Sequence, residues 1–287
     1  MCGLIEAFLL PFPNANEPSL DGRHLKIRYL CYMELKALLD EKYAEYNQPT
    51  FIEEDPIRIP HQFDRKEDIE ISGFLSALIA WGRRSMIIQN AERLMERMDW
   101  APHQFVMHAN EDELGRLSGF VHRTFNEVDA RGLVLSLRSV YEQHGGLNQI
   151  FAAGISPDDE DVYHGIIHAR EILLSHPKLQ GRTHKHVANP AKGSSAKRIN
   201  MYLRWMVRPN SAGVDFGIWE GISPSQLICP LDVHTGNVAR ALGLLTRKQN
   251  DWKAASELTQ NLRAFHPEDP VRYDFSLFAL GVYEGVK

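Results

Sequence analysis

Apolar residues in this chain recur at intervals of three and four, and almost nowhere in strict alternation. Ile71, Phe74, Leu75, Leu78 and Ile79 form one such set, and Leu133, Leu137, Val140 and Tyr141 another. This spacing lines up side chains on one face of a 3.6-residue helix, whereas a half-buried strand needs a period of two. The pattern predicts helices near 26–43, 67–81, 84–98, 129–143, 159–175, 196–208, 223–228, 233–242, 251–264 and 270–282, and hence an all-α fold. Ser223-Pro224 and Asp269-Pro270 each offer a capping side chain followed by a proline suited to a first helical turn. Two stretches lack a clear period: 44–66, a Pro-punctuated connection, and 176–195, a long loop. Residues 1–24 read as an N-terminal extension and 25–287 as the helical domain.

Of the 287 residues, 44% are hydrophobic and 24% charged, so disordered and collagen-like classes are excluded. Cys2, Cys31 and Cys229 lie far apart and form no C-x-x-C pair. Neither a disulfide scaffold nor a four-cysteine zinc or iron–sulfur site can be assembled from them. The apolar start, Met1 to Leu10, is short, contains Glu6 and has no basic leader. No stretch approaches the ~20 apolar residues of a membrane helix, so the expected setting is a reducing cytoplasm without a membrane partner.

The formal net charge of -5 conceals an asymmetry. Residues 172–214 contain no Asp or Glu, although the chain has 37 of them. The same 43 residues carry Lys178, Arg182, Lys185, Lys192, Lys197, Arg198, Arg204 and Arg208, with His176, His184 and His186. The window therefore sums to +8 and the remainder to -13. A solvated loop face is one reading, and a surface that binds nucleic-acid phosphates by releasing counterions is the other.

Within this window, Gly193-Ser194-Ser195-Ala196-Lys197-Arg198 leads into a helix, and Pro230-Leu231-Asp232-Val233-His234 opens a second one 35 residues after Lys197. Upstream, Asp68 to Trp81 reads as a buried helix that ends in Gly82-Arg83-Arg84. Together these segments resemble the helix–hairpin–helix (HhH-GPD) DNA glycosylase superfamily. Its hairpin reads G-x-G-x-K-T-A, and its catalytic aspartate lies in a D-T-H-x-x-R-V-like segment. Ser195 stands here in place of the second hairpin glycine, Val233 in place of the threonine and Asn237 in place of the arginine. The resemblance covers roughly 68–95 and 190–281, and 100–175 has no counterpart. The Lys197-to-Asp232 step is closer to the archaeal 8-oxoguanine glycosylase branch than to the endonuclease III-like members. The whole chain is also similar to a bacterial family of uncharacterised proteins.

The resemblance implies a two-lobed helical fold with damaged duplex DNA in the cleft and base excision without an organic cofactor or metal. Lys197 would be the nucleophile, forming a Schiff base that opens a lyase route, and Asp232 its electrostatic and proton-transfer partner. Gly193, Ser194 and Ser195 would hold a DNA phosphate at the helix start and Trp81 would occupy the wedge turn, while the basic window adds Lys192, Arg198 and Arg204 as DNA contacts, and Arg83 could touch phosphate or simply be solvated. Physical chemistry adds a separate argument for Lys197. A lysine nucleophile must lose its proton, and both a first-turn position and the neighbouring Arg198 disfavour the ammonium form. Asp232 also reads as a plain helix cap, Lys197 as a plain phosphate contact and Trp81 as core. Two rival functions remain: a nucleic-acid-binding protein of this fold without chemistry, and a metal-dependent enzyme built on His164 and His168, four residues apart on one helix face.

Overall fold

A computed structural model describes residues 22–286, with side chains from Tyr32 onward. The expected extension, apart from residues 22–24, and the apolar start of the chain lie outside the described residues. The fold is helical, and among the described residues its only ladder is one short hairpin. The chain runs through α1 (Gly22–Tyr46), α2 (Lys66–Leu78), α3 (Arg84–Arg97), α4 (Pro102–His108) and α5 (Glu111–Leu114). The hairpin pairs β1 (Val121–His122) with β2 (Phe125–Asn126). Then follow α6 (Glu127–His144), α7 (Leu147–Ala152), α8 (Tyr163–Leu174), α9 (Lys197–Val207), α10 (Val233–Ala241), α11 (Trp252–Phe265) and α12 (Asp274–Val282). No helix among the described residues is long and apolar enough to cross a membrane.

The centre is α2, in which every residue from Ile69 to Leu78 is buried. A helix enclosed on all sides is a core helix. It packs against α9, itself buried from Ile199 to Val207. The two approach most closely at Gly73, where an added Cβ would lie 2.9 Å from the Met206 methyl and 3.4 Å from the Tyr202 ring. Tyr202 and Trp205 are fully enclosed, and enclosing side chains of this size contributes about 1.5–3 kcal/mol each. α12 packs against both α1 and α10.

Where the helices depart from the periodic reading, local hydrogen bonding explains it. The Pro-punctuated connection is a run of 3₁₀ turns, Pro49–Glu54, Pro56–Arg58 and Pro60–Gln62, each opened by its proline. α2 stops at Leu78 rather than 81, because the chain turns through Ala80 and Trp81 into Gly82 at φ +111°. Ser223 caps a 3₁₀ turn, Pro224–Gln226, in a capping box with Gln226. Asp269 caps nothing, because its carboxylate is held by Arg208. The segment 270–282 is accordingly a 3₁₀ turn, Pro270–Tyr273, followed by α12. α4, α5 and α7 are too short to display a period.

Candidate active site

The 35-residue step between Lys197 and Asp232 closes in space. Lys197 Nζ lies 3.3 Å from Asp232 Oδ2, and the two side chains are 31% and 28% exposed. The turn before α9 sets the lysine's direction. Asn189 caps the 3₁₀ turn Pro190–Lys192, after which Gly193 at φ +83° and Ala196 at φ +50° reverse the chain twice. A left-handed conformation costs an ordinary L-residue about 1–2 kcal/mol, so the buried Ala196 is held there by its surroundings. The Asn200 amide bonds Ser195 O at 2.9 Å, and Ser194 bridges to Asp251 at the start of α11.

Asp232 is fixed from both sides. Its Oδ1 accepts the Thr235 N–H at 3.0 Å and caps α10. Its carbonyl accepts from Asn250 Nδ2 at 2.9 Å, and the Ser195 hydroxyl donates to the neighbouring Leu231 carbonyl at 3.2 Å. Burial disfavours the Asp232 charge, but the Lys197 ammonium and the Thr235 N–H outweigh it and leave the carboxyl below its ordinary value. The cap thus fixes which oxygen faces the lysine: Oδ1 takes the Thr235 N–H and Oδ2 points to Lys197.

The pair opens onto a cavity of about 690 Å³. This falls within the roughly 300–1,000 Å³ of small-molecule sites. The 3₁₀ turns after α1 supply Phe51 and Asp55, the turn after α2 supplies Trp81, and α12 supplies Asp274 and Phe278. A larger hollow of about 860 Å³, lined by Glu160, Gln226 and Arg263 among others, contains no such acid–base pair. There Arg263 is bonded to the Glu160 and Ser225 carbonyls.

The structure separates the other expected contacts into groups. Arg204 is a correction: it is buried, 2.5 Å from Asp274 Oδ2 and 3.3 Å from Asp215 Oδ1, and so does not stand on the surface as a phosphate contact. Arg208 is buried against Asp215 and Asp269. Arg198 bonds the carbonyls of Leu78 and His186 and lies 4.7 Å from the Trp81 ring centroid, so it serves the interior too. Trp81 is half-buried, stacked on His186 at 5.7 Å and edge-on to His122 at 5.1 Å. Gly193 N and Ser194 N donate to the Pro190 and Asn189 carbonyls, and the Ser194 hydroxyl accepts from Ala196 N. The turn therefore does not present those two N–H groups to an anion. Lys192 and Arg83 are exposed.

The acid-free window is correspondingly less basic in space than in sequence. Lys178, Arg182, Lys197, Arg204 and Arg208 each meet an acid from outside it: Glu111, Asp129, Asp232, Asp274 and Asp215. Lys185, Lys192 and Arg198 have no acidic partner among the described residues. His168 Nδ1 pairs with the Ile150 carbonyl at 2.8 Å, and no group of three metal-ligating side chains gathers among the described residues.

Asp55, Asp274, Phe51 and Phe278 were not singled out in the sequence. The available signal was an isolated acid in apolar surroundings, as in Tyr273-Asp274-Phe275. Burial pushes the carboxyls of both Asp55 and Asp274 above their ordinary value, against the pull of Arg204.

Residues 55–283 match the family described as a protein of unknown function (DUF2400), and the chain belongs to that family. No curated protein and no solved structure matches it.

Proposed function

We propose that this DUF2400 member is a DNA base-excision enzyme of the helix–hairpin–helix type, with a two-lobed glycosylase fold and the Lys197–Asp232 cavity as its base pocket. One observation carries this reading. A lysine and a capping aspartate 35 residues apart meet at 3.3 Å on the wall of a cavity sized for a small molecule. Damaged duplex is the substrate, with the target nucleotide turned out of the stack into that cavity.

The chemistry follows from the pair. Asp232 accepts a proton from the Lys197 ammonium, and the free amine attacks C1′ as the C1′–N bond breaks. The bonding electrons leave with the base, which takes up a proton. That proton is the one Asp232 took from Lys197, and the carboxylate restored as it leaves stabilises the positive charge on the sugar. The amine-substituted sugar ring then opens: the C1′–O4′ bond breaks, O4′ gains a proton and C1′ becomes the carbon of a Schiff base. Loss of a C2′ proton can then expel the 3′-phosphate. No step requires a metal or an organic cofactor. Lys192, Lys185 and Arg83 are the exposed cations that suit phosphate contact, a smaller set than the sequence window implies.

The test is borohydride reduction of the enzyme on duplex carrying an abasic site. The expected result is a covalent adduct with the wild type and none with Lys197→Ala. An undiminished adduct with Lys197→Ala, or none with the wild type, rules out the lysine mechanism. Salt-dependent DNA binding without an adduct would instead favour a binding protein of this fold.

A further inference from the structure

Asp55 sits between the 3₁₀ turns Pro49–Glu54 and Pro56–Arg58, on the wall of the cavity that Lys197 and Asp232 share. Its Oδ1 accepts the Ile57 N–H at 3.0 Å, and only 8% of the residue is exposed. Oδ2 has no hydrogen-bond partner among the described residues. Arg204, Arg84 and Lys197 act on the Asp55 charge through space, but none donates a hydrogen bond to it: Arg204 bonds Asp215 and Asp274, and Lys197 pairs with Asp232. Arg84 lies 4.5 Å from the Phe278 ring centroid and donates to Tyr283 Oη at 3.2 Å.

Asp55 Oδ2 is not among the fully enclosed side-chain atoms that lack a partner, so it reaches the open cavity, where a ligand's donor can satisfy an acceptor that the protein leaves free. Burial pushes this carboxyl up from its ordinary value. The apolar wall beside it includes Phe51 and Phe278, whose ring centroids are 5.9 Å apart. An aromatic wall with one free acceptor oxygen suits a flat heterocycle that brings a donor on its edge.

We infer that Asp55 reads the base, accepting a hydrogen bond at Oδ2 from a ring N–H and so selecting bases in the lactam form. The inference rests on the base-excision reading above. Guanine, hypoxanthine, thymine and uracil carry such a ring N–H. Adenine and cytosine present a ring nitrogen lone pair at the equivalent place, which meets the carboxylate as acceptor against acceptor. Asp55 takes no part in the bond changes at C1′.

The test compares the wild type with Asp55→Asn on duplexes containing uracil, hypoxanthine, N3-methyluracil, N1-methylhypoxanthine, adenine, cytosine or an abasic site. Asparagine keeps an Oδ1 acceptor for the Ile57 N–H, and a thermal melt checks that the turn survives. Should that variant not fold, Asp55→Ser offers a hydroxyl acceptor in its place. The wild type is expected to release the N–H bases at least ten-fold faster than their N-methyl forms. Asp55→Asn is expected to lower kcat/KM on the N–H bases on the order of 10- to 100-fold. Borohydride trapping at the abasic site, which has no base to read, is expected to stay within about two-fold of wild type.

An active wild type with unchanged kcat/KM in Asp55→Asn overturns the assignment. So does a wild type that traps at the abasic site yet releases no base in the panel, or only adenine or cytosine. A parallel loss of trapping and release also overturns it, because that marks a structural role. A wild type inert on every base and at the abasic site fails the base-excision reading itself, and this inference with it.

Discussion

Helix α9 carries two kinds of cation–carboxylate pairing within eleven residues. At its first turn Lys197 makes one contact, 3.3 Å, with an aspartate that faces a cavity, and each side chain is about a third exposed. Two turns further on, Arg204 is enclosed with Asp215 and Asp274, and just past the helix Arg208 is enclosed with Asp215 and Asp269. Phe275 underlies both guanidinium groups, at 4.4 and 5.5 Å from its ring centroid. The arginine set is enclosed and multiply paired, and it fastens the segment after α9 to the start of α12. The lysine pair is unsaturated and accessible. Charge pairing in the first case encloses the fold's interior, and in the second leaves a part-exposed lysine nitrogen on a cavity wall.

The comparison breaks most visibly by removing an acid from each set. Asp215→Ala leaves two buried guanidinium groups short of a partner and should cost about 3–5 kcal/mol in urea unfolding. A loss under 1 kcal/mol would mean that the enclosed network does not hold the fold. Asp232→Asn keeps a good helix cap, so its stability should change by less than about 1 kcal/mol. Its rate of base release should nevertheless fall on the order of 100-fold, measured in single turnover. A large stability loss with unaltered chemistry would assign Asp232 to the cap alone.

Acid titration sharpens the same contrast, with opposite signs for the two aspartates. The Asp232 carboxyl is lowered from its ordinary 3.8, so its stabilising contribution is fully present above that value and is lost as pH falls through the folded value. The stability gap between wild type and Asp232→Asn should therefore hold from pH 7 to about 5 and change below about pH 4. Burial raises the Asp274 carboxyl, so its contribution is present below 3.8 and lost as pH rises through the folded value. Against Asp274→Asn, the wild type should gain relative stability on acidification. Unfolding series of both variants from pH 3 to 7 check the two slopes, and slopes of one sign would contradict the contrast. The smallest effect is expected at the exposed cations. Lys192→Ala should reduce the salt slope of DNA binding by about 0.9 while leaving the melting temperature unchanged. An unaltered slope would remove Lys192 from the DNA contact.

Much of the helical framework was readable from periodicity, because α2, α3, α6, α9 and α11 each bury an apolar set long enough to repeat. The Lys197–Asp232 encounter was readable too, through motif spacing rather than any property of the intervening residues. The destination of the basic window was not. Its partners, Glu111, Asp129, Asp215, Asp232 and Asp274, lie outside it in sequence, all but the adjacent Asp215 are delivered by distant elements, and charge order along a chain carries no record of that. Asp55 was hidden for a similar reason. It sits in a Pro-rich connection with no period, and only the folding of three 3₁₀ turns places it on the cavity wall.

The most direct measurement of the central claim locates the covalent bond. Wild-type protein reduced with borohydride on abasic-site duplex, then digested and analysed by tandem mass spectrometry, should carry the reduced sugar on the Nζ of Lys197 and on no other lysine. A modification on Lys185 or Lys192 with Lys197 unmodified, or on no lysine at all, would contradict the account.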